Sequence, residues 1–220
     1  MNMILRPVIT TVADLLDHLA VPPQRVRMKP APGFATEEDA IQNEQCELID
    51  GVLVEKAMGY YESRMAFVLI RYLGNYLEIH DLGIGLDGSG MIRVSPAQIR
   101  LPDVSFISWE HFPNRKLPWE QILDLTPDFA VEILSPSNTV AEMIRKRGEY
   151  FTGGAKLVWE VDPAQRTVAV YTSPDDVTIL DESATLDGGE VLPGFTLPLA
   201  KLFEKFAVLP AKKPTRRKKK

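Results

Sequence analysis

Hydrophobic residues recur at three- and four-residue spacing in two stretches of the chain. They are residues 10–20 and residues 60–78, and such spacing is typical of amphipathic helices with one buried face. A third helix is predicted at residues 138–151, because capping residues precede it and two glycines follow it. Asp50-Gly51 stands between two short apolar runs, which predicts a β-hairpin.

Short apolar runs between these helices predict the strands. They lie at about 83–94 (a glycine-rich pair), 99–108, 128–134, 156–162, 166–172 and 177–181. The order of hairpin, helix, strands, helix and strands predicts a mixed α/β fold with helices on both sides of one sheet.

Composition limits the class of protein. The chain has 220 residues, of which 45% are apolar, so we expect one globular domain with a sizeable core. Cys46 is the one cysteine and excludes an internal disulfide. The longest wholly apolar run, at residues 66–70, is far shorter than a membrane-spanning helix. We therefore expect no membrane partner and a cytoplasmic location.

Charge is distributed unevenly along the chain. The 25 basic and 30 acidic residues give a net charge of −5. Seven of the basic residues lie in residues 211–220, which leaves 18 basic and 30 acidic residues, a net charge of −12, in the first 210. The basic end could bind phosphates without sequence preference, or could act only as a solubilising segment.

Glu132 is the strongest candidate for chemistry, because it interrupts a strand that is apolar on both faces. One face carries Phe129, Val131 and Ile133, and the other carries Ala130 and Leu134. Burial of a carboxylate in a central strand is costly unless a cation pairs with it. The alternative is a strand end that leaves Glu132 in contact with solvent.

Three further residues carry weaker signals. Asp103 follows Pro102, which begins or bends a strand, so its carboxylate could face a cleft, although Pro-Asp is also common in turns. Lys146 lies on a partly apolar helix face, or belongs with its two neighbouring arginines to a solvated basic stripe. Glu62 begins the buried stripe of the long helix, where it could face a site or interact with the helix dipole.

Two or three acids and a lysine together indicate a magnesium site. Magnesium prefers oxygen ligands and retains several waters. A bound metal ion turns water into a nucleophile near neutral pH and neutralises phosphate oxygens during displacement. A nearby lysine could orient the attacking water, and so aid the nucleophile, or offset the charge that develops in the transition state.

Several motifs of this chain occur in a characteristic order. They are Glu47-Leu48-Ile49-Asp50-Gly51, Pro102-Asp103, residues 127–136, Lys146 four residues before Tyr150, residues 159–163 and residues 192–195. In this order and spacing they resemble the Uma-type family of putative restriction endonucleases, within the PD-(D/E)XK nuclease superfamily. The resemblance covers roughly residues 10–206.

The resemblance implies both a fold and a set of metal ligands. The implied core is a helix, a three-stranded meander, a helix and a strand. Asp103 and Glu132 would be the metal acids, and the Ile133 carbonyl would be a further ligand. Leu134 occupies the usual lysine position of the superfamily, and Lys146 matches the lysine that this family carries on the following helix.

Two acids outside the central motif are also implicated. Glu47 matches the early acidic motif of the family and could assist catalysis. Glu62 lies near a position where a histidine is expected in many relatives, and an acid in the first helix suits the superfamily, so Glu62 could also assist catalysis.

We therefore expect an α/β, restriction-endonuclease-like domain at residues 46–206. An N-terminal helical and hairpin extension would occupy residues 1–45, and a disordered basic tail residues 207–220. The expected activity is hydrolysis of DNA phosphodiester bonds by a metal-activated water, with magnesium or alternatively manganese, in a homodimer. The alternatives are a catalytically degenerate nucleic-acid-binding module on the same fold and a regulatory protein that binds a protein partner.

The acidic body is unfavourable for contact with DNA phosphates. We expect the contacts to come from the basic groups that could cluster on one face. These are Arg93, Arg100, Lys116, Arg145, Arg147 and the C-terminal segment.

Overall fold

The computed structural model describes residues 10–204, and the basic tail predicted at residues 207–220 lies outside the described residues. Its helices are α1 (Val12–Leu19), α2 (Glu37–Gln42), α3 (Tyr60–His80), α4 (Val140–Gly153) and α5 (Leu199–Phe203). Its strands are β1 (Cys46–Ile49), β2 (Val52–Glu55), β3 (Gly83–Asp87), β4 (Met91–Ser95), β5 (Gln98–Arg100), β6 (Val104–Ser108), β7 (Ile122–Leu123), β8 (Phe129–Ile133), β9 (Leu157–Asp162), β10 (Thr167–Tyr171), β11 (Val177–Asp181), β12 (Thr185–Asp187) and β13 (Thr196–Pro198). Among the described helices, none has the length and apolar character needed to cross a membrane.

The strands form two main sheets, so the expectation of a single sheet is wrong. One sheet has five strands in the order β2-β1-β5-β4-β7, and the other has six in the order β11-β10-β9-β8-β6-β3. A separate ribbon pairs β12 with β13. Both main sheets are mixed, because β4 runs parallel to β7 and β8 runs parallel to β9 while the other pairs are antiparallel.

Within residues 83–108 the chain passes twice between the two sheets, which corrects two predictions of strands. The expected pair at residues 83–94 is divided, because β3 pairs with β6 whereas β4 pairs with β5. The expected strand at residues 99–108 is likewise divided between β5 and β6. Pro102 lies at this second crossing, where it cannot donate a hydrogen bond to continue a ladder.

The expected nuclease-like core is present within this arrangement. Helix α3 leads into β3, β6 and β8, which form an antiparallel three-stranded unit. Helix α4 then leads into β9, which adds to β8 in parallel. The hairpin of β4 and β5 is inserted between the first two strands of this unit and carries the chain into the five-stranded sheet.

The two faces of β8 pack against different helices. Val131 belongs to the largest apolar core, together with Leu69 of α3 and Trp159 of β9. Ala130 belongs to a second cluster, together with Tyr150 of α4. Side chains alternate between the faces of a strand, so Glu132 lies on the same face as Ala130, toward α4.

Local signals set the ends of the hairpin and of α4. Asp50 and Gly51 adopt positive φ angles of 50° and 76°, as a tight hairpin turn requires. Thr139 caps α4 by accepting a hydrogen bond from the Glu142 N–H, one residue later than the capping segment that the sequence indicates. Gly154 ends the helix with φ 110°.

Candidate active site

Asp103 and Glu132 lie side by side on one face of the six-stranded sheet. Val104 of β6 lies opposite Val131 of β8 in an antiparallel pair. Asp103 precedes Val104 and Glu132 follows Val131, so the two acids are neighbours across the pair. Val104 and Val131 both point into the α3 side of the core. The two acids therefore point to the other face, toward α4.

Asp103 is held by two contacts at the crossing between the sheets. Its Oδ2 accepts a hydrogen bond from the Ile133 N–H at 2.7 Å. Its Oδ1 lies 2.8 Å from the Nζ of Lys56, whose side chain is only 3% exposed. The backbone N–H of Asp103 also donates to the Val131 carbonyl at 3.0 Å, which fixes the residue against β8.

Glu132 has one cationic and one neutral partner, both on α4. Its Oε2 lies 3.0 Å from Lys146 Nζ, and its Oε1 accepts a hydrogen bond of 2.5 Å from the Tyr150 hydroxyl. Burial raises the pKa of Glu132 to about 7, and the charge of Asp103 adds to this rise while Lys146 opposes it. The solvent-exposed strand end is therefore excluded, since Glu132 is 5% exposed.

Glu47 joins the same cluster from the five-stranded sheet, where it lies on β1. Its Oε1 is 2.9 Å from Lys146 Nζ, and its Oε2 accepts a hydrogen bond of 2.8 Å from Arg100. Burial by itself would raise the pKa of Glu47, but Lys146 and Arg100 outweigh burial and lower it to about 2. Glu47 is thus a permanently charged acid.

Lys146 connects the two sheets through Glu47 and Glu132. It is 2% exposed, so the solvated basic stripe is excluded for this residue. Burial would lower the pKa of its ammonium, but the charges of Glu132 and Glu47 outweigh burial and raise it. Lys146 is therefore a protonated cation that lies between two acids.

A chain of further ion pairs extends from Glu47 along α4. Arg100 of β5 contacts Glu149 at 2.7 Å, and Glu149 contacts Arg145 at 2.8 Å. Arg145 in turn lies 2.7 Å from Asp50, whose other oxygen accepts from Gln98 of β5 at 2.6 Å. These contacts attach α4 to the five-stranded sheet and fix the helix that carries Lys146.

Glu62 lies apart from this cluster, on α3, which covers the opposite face of the sheet. Its Oε2 accepts a hydrogen bond of 2.9 Å from the Gly59 N–H, so the carboxylate caps its own helix. Glu62 also lines a cavity of about 870 Å³ between α3, α4 and the β9–β10 turn, together with Arg147 and Glu160. A catalytic role for Glu62 stays a prediction.

Asp103 and Glu132 offer carboxylate oxygens of the kind that divalent metal ions prefer, and their binding of magnesium stays a prediction. Carboxylate oxygens are hard ligands, and magnesium is commonly held by one or two carboxylates plus waters. Among residues 10–204, no group of three His, Cys, Asp or Glu residues is spaced to hold a metal ion. The Ile133 N–H donates a hydrogen bond to Asp103 Oδ2 and so orients this carboxylate. The Ile133 carbonyl is the third ligand that the family resemblance predicts.

The arginines expected to bind phosphate are mostly engaged by acids. Arg100 is 1% exposed and paired with Glu47 and Glu149, so its expected contact with DNA is wrong. The other arginines also have acidic partners: Arg93 with Glu37 and Asp124, Arg145 with Asp50 and Glu149, and Arg147 with Glu160. Lys116 is exposed. The described residues therefore offer less free positive charge than the sequence indicates.

Comparison with known proteins decides the family. The model of the Uma2 family, described as a putative restriction endonuclease, matches residues 36–200. This chain belongs to the Uma2 family. No curated protein matches it. The family assignment confirms the resemblance of the motifs and supports nuclease function in general.

A solved structure shares the fold of this Uma2 chain. It is the crystal structure of a putative nuclease belonging to DUF820 from Anabaena variabilis. The similarity has a TM-score of 0.66 at 18% sequence identity and covers 76% of this chain and 96% of that one. At this identity the likeness establishes the α/β fold of the domain.

Sequence reasoning gave no role to two residues that contact the candidate metal acids. Lys56 follows β2 and has no helical or strand periodicity to show where its side chain points. Tyr150 entered the sequence analysis only through its motif with Lys146, four residues earlier, and was given no role. That spacing places both side chains on one helix face, which is the signal that could have paired them with Glu132.

Proposed function

We propose that this protein is a magnesium-dependent endonuclease that hydrolyses phosphodiester bonds of DNA. The observation that carries the proposal is the adjacency of Asp103 and Glu132 on one sheet face, with Lys146 in contact with Glu132 at 3.0 Å. Membership in a family described as putative restriction endonucleases supports the reaction class.

Asp103 and Glu132 would hold the metal ion, with the Ile133 carbonyl as a further ligand. When bound, the ion would supply charge neutralisation at the phosphate and a lowered pKa for water. The protein's contribution is rigid placement, because the Ile133 N–H fixes Asp103 and the Tyr150 hydroxyl fixes Glu132.

Lys146 would stabilise negative charge on the phosphate rather than accept a proton. Its pKa is raised above the ordinary value because Glu132 and Glu47 outweigh burial, so the ammonium is protonated at neutral pH. A group that holds its proton cannot serve as the general base. A positioned ammonium can instead offset the charge that develops on the phosphate oxygens.

DNA as substrate, the homodimer and the cytoplasmic location are parts of the same proposal. The family description supports DNA. Contact with phosphates would use exposed groups such as Lys116, since Arg93, Arg100, Arg145 and Arg147 pair with acids. A dimer would let two sites act on the two strands of a duplex, and sedimentation of the full chain tests that state.

Nicking of supercoiled plasmid DNA in Mg²⁺ or Mn²⁺ tests the proposal. Asp103→Asn keeps an oxygen that can accept from the Ile133 N–H but removes the charge, and we expect a loss of at least ~100-fold in nicking rate. The matched control is Asp175→Asn, an exposed aspartate between β10 and β11, which should nick like the wild type. Equal nicking by Asp103→Asn and the wild type would show that the site is wrong.

One observation favours the second candidate, a nucleic-acid-binding or regulatory module without catalysis. Both candidate metal acids already have an ammonium partner, Lys56 at Asp103 and Lys146 at Glu132. The same assay separates the two functions. DNA binding in a gel-shift measurement with no nicking in any divalent metal would favour the module.

A further inference from the structure

Lys56 is a buried cation at the candidate metal site that the proposed reaction does not use. It follows the last residue of β2, and its side chain is 3% exposed. Its Nζ lies 2.8 Å from Asp103 Oδ1 and donates a hydrogen bond of 2.9 Å to the Gly88 carbonyl. The ammonium thus stands between a candidate metal ligand and the β3–β4 turn.

The two oxygens of Asp103 are held in different ways. Oδ2 accepts a hydrogen bond from the Ile133 N–H at 2.7 Å. Within residues 10–204, Oδ1 has no partner that meets hydrogen-bond geometry, although Lys56 Nζ is close enough for an ion pair. Oδ1 therefore receives positive charge without a directional bond, which suits an exchange of one cation for another.

Lys56 also contacts the β3–β4 turn, independently of Asp103. The turn packs tightly on the ammonium, since a Cβ at Gly88 would lie 2.6 Å from Nζ. The Gly88 carbonyl is already a partner. Asp87 lies within electrostatic reach, because hydrogen bonds from Ser89 and, more weakly, the charge of Lys56 lower its pKa. Lys56 can leave Asp103 and remain near an acceptor and a carboxylate.

The inner cluster is formally neutral without a metal ion. Its acids are Glu47, Asp103 and Glu132, and its cations are Lys56, Arg100 and Lys146. A divalent ion at Asp103 Oδ1 would be attracted by the carboxylate and repelled by the Lys56 ammonium, which lies 2.8 Å from that oxygen. Removal of the Lys56 charge would leave a net negative site.

We propose that Lys56 is a displaceable counter-ion that competes with the divalent metal for Asp103 Oδ1. This inference rests on the proposed metal-dependent function. Lys56 stabilises Asp103 in the metal-free protein and must move toward the β3–β4 turn when a metal ion binds. The metal concentration needed to occupy the site is therefore higher than it would be with the two carboxylates alone.

Binding of Mn²⁺ to the full chain, followed by electron paramagnetic resonance of the free ion, tests the inference. We expect Lys56→Met and Lys56→Gln to bind Mn²⁺ at least ~10-fold more tightly than the wild type. Lys56→Arg keeps the charge and should bind no more tightly than the wild type. The matched control is Lys201→Met, an exposed lysine on α5, which should leave the Kd unchanged.

A thermal-shift measurement keeps the test valid if the variants are less stable. Without metal, Lys56→Met leaves Asp103 buried without its ammonium, so its Tm should fall below that of the wild type. With Mg²⁺, its Tm should rise by more than the wild-type Tm does.

The possible results separate this inference from the proposed function. Equal Mn²⁺ affinity of Lys56→Met, Lys56→Gln and the wild type would overturn the role of Lys56. If wild-type binding is nevertheless lost in Asp103→Asn, the metal site and the proposed function stand. Absence of Mn²⁺ binding in the wild type and in both variants would overturn the inference and the metal dependence together.

Discussion

Two buried carboxylates contact the same ammonium and yet have opposite pKa shifts. Glu47, on the five-stranded sheet, has its pKa lowered to about 2, whereas Glu132, on the six-stranded sheet, has its pKa raised to about 7. Both lie about 3 Å from Lys146, at 2.9 and 3.0 Å. Burial and a shared lysine therefore do not explain the difference.

The number of cationic partners explains it. Glu47 also accepts from Arg100, a second full charge, and from the Leu101 N–H at 3.3 Å. The second partner of Glu132 is Tyr150, a neutral hydroxyl, and Asp103 next to it adds negative charge. The charge of Glu47 is thus balanced by two cations, whereas Glu132 has one cation and could accept further positive charge from a metal ion. A role of Glu47 in catalysis stays a prediction.

Glu47→Gln should produce the largest effect on stability. It removes the acid that both Arg100 and Lys146 contact, and it leaves these cations buried with fewer partners. We expect a loss of about 3–5 kcal/mol in the free energy of unfolding at pH 7, measured by urea denaturation. Because the pKa of Glu47 is lowered, its contribution is full above about pH 4.5 and is lost as the pH falls toward about 2.

The control for Glu47→Gln is Glu44→Gln, an exposed acid just before β1. Its free energy of unfolding should stay within about 0.5 kcal/mol of the wild-type value. If Glu47→Gln loses no more stability than this control, the cations around Glu47 do not stabilise it as described, and the contrast with Glu132 fails.

Lys146→Met should affect catalysis more than metal binding. The variant leaves Glu47 with Arg100 and Glu132 with Tyr150, so both acids keep a partner. We expect the plasmid-nicking rate to fall by ~100-fold. The Mn²⁺ Kd should not rise. Lys201→Met, an exposed lysine on α5, is the control and should nick like the wild type. An unchanged rate in Lys146→Met would assign Lys146 to stability alone.

The sequence singled out three residues that the fold brings together in the candidate site. Glu132 stood out because it is a charged residue in an otherwise apolar strand, and such a residue needs a cation in any fold. Asp103 and Lys146 joined it through the order of motifs that is characteristic of the Uma2 family. The long helix α3 and the hairpin at Asp50-Gly51 followed from local periodicity and turn chemistry, which depend on few residues.

The division into two sheets could not be predicted from local pattern. Residues 83–94 read as a pair of adjacent strands and residues 99–108 as one strand. Only the long-range pairing partners show that the chain changes sheets within both segments. The same limitation hid Lys56, because its partners, Asp103 and Gly88, are 47 and 32 residues away along the chain. Arg100 was misjudged as a DNA contact for the same reason.

Glu132→Gln should produce the smallest effect on the free energy of unfolding, and that effect should depend on pH. Glutamine resembles the protonated acid, which the raised pKa of about 7 favours in the folded state. The contribution of wild-type Glu132 to stability is full below about pH 4.5 and is lost as the pH rises through about 7, a loss of at most about 3 kcal/mol. The glutamine of the variant does not ionise, so the variant should not lose stability in this way as the pH rises. Urea denaturation should therefore show similar stabilities at pH 4.5 and a variant more stable by about 1–3 kcal/mol at pH 7.5. The opposite result, a variant less stable than the wild type at pH 7.5, would contradict this reasoning. It would mean that Lys146 alone stabilises the charged form of Glu132 as well as Arg100 and Lys146 together stabilise that of Glu47.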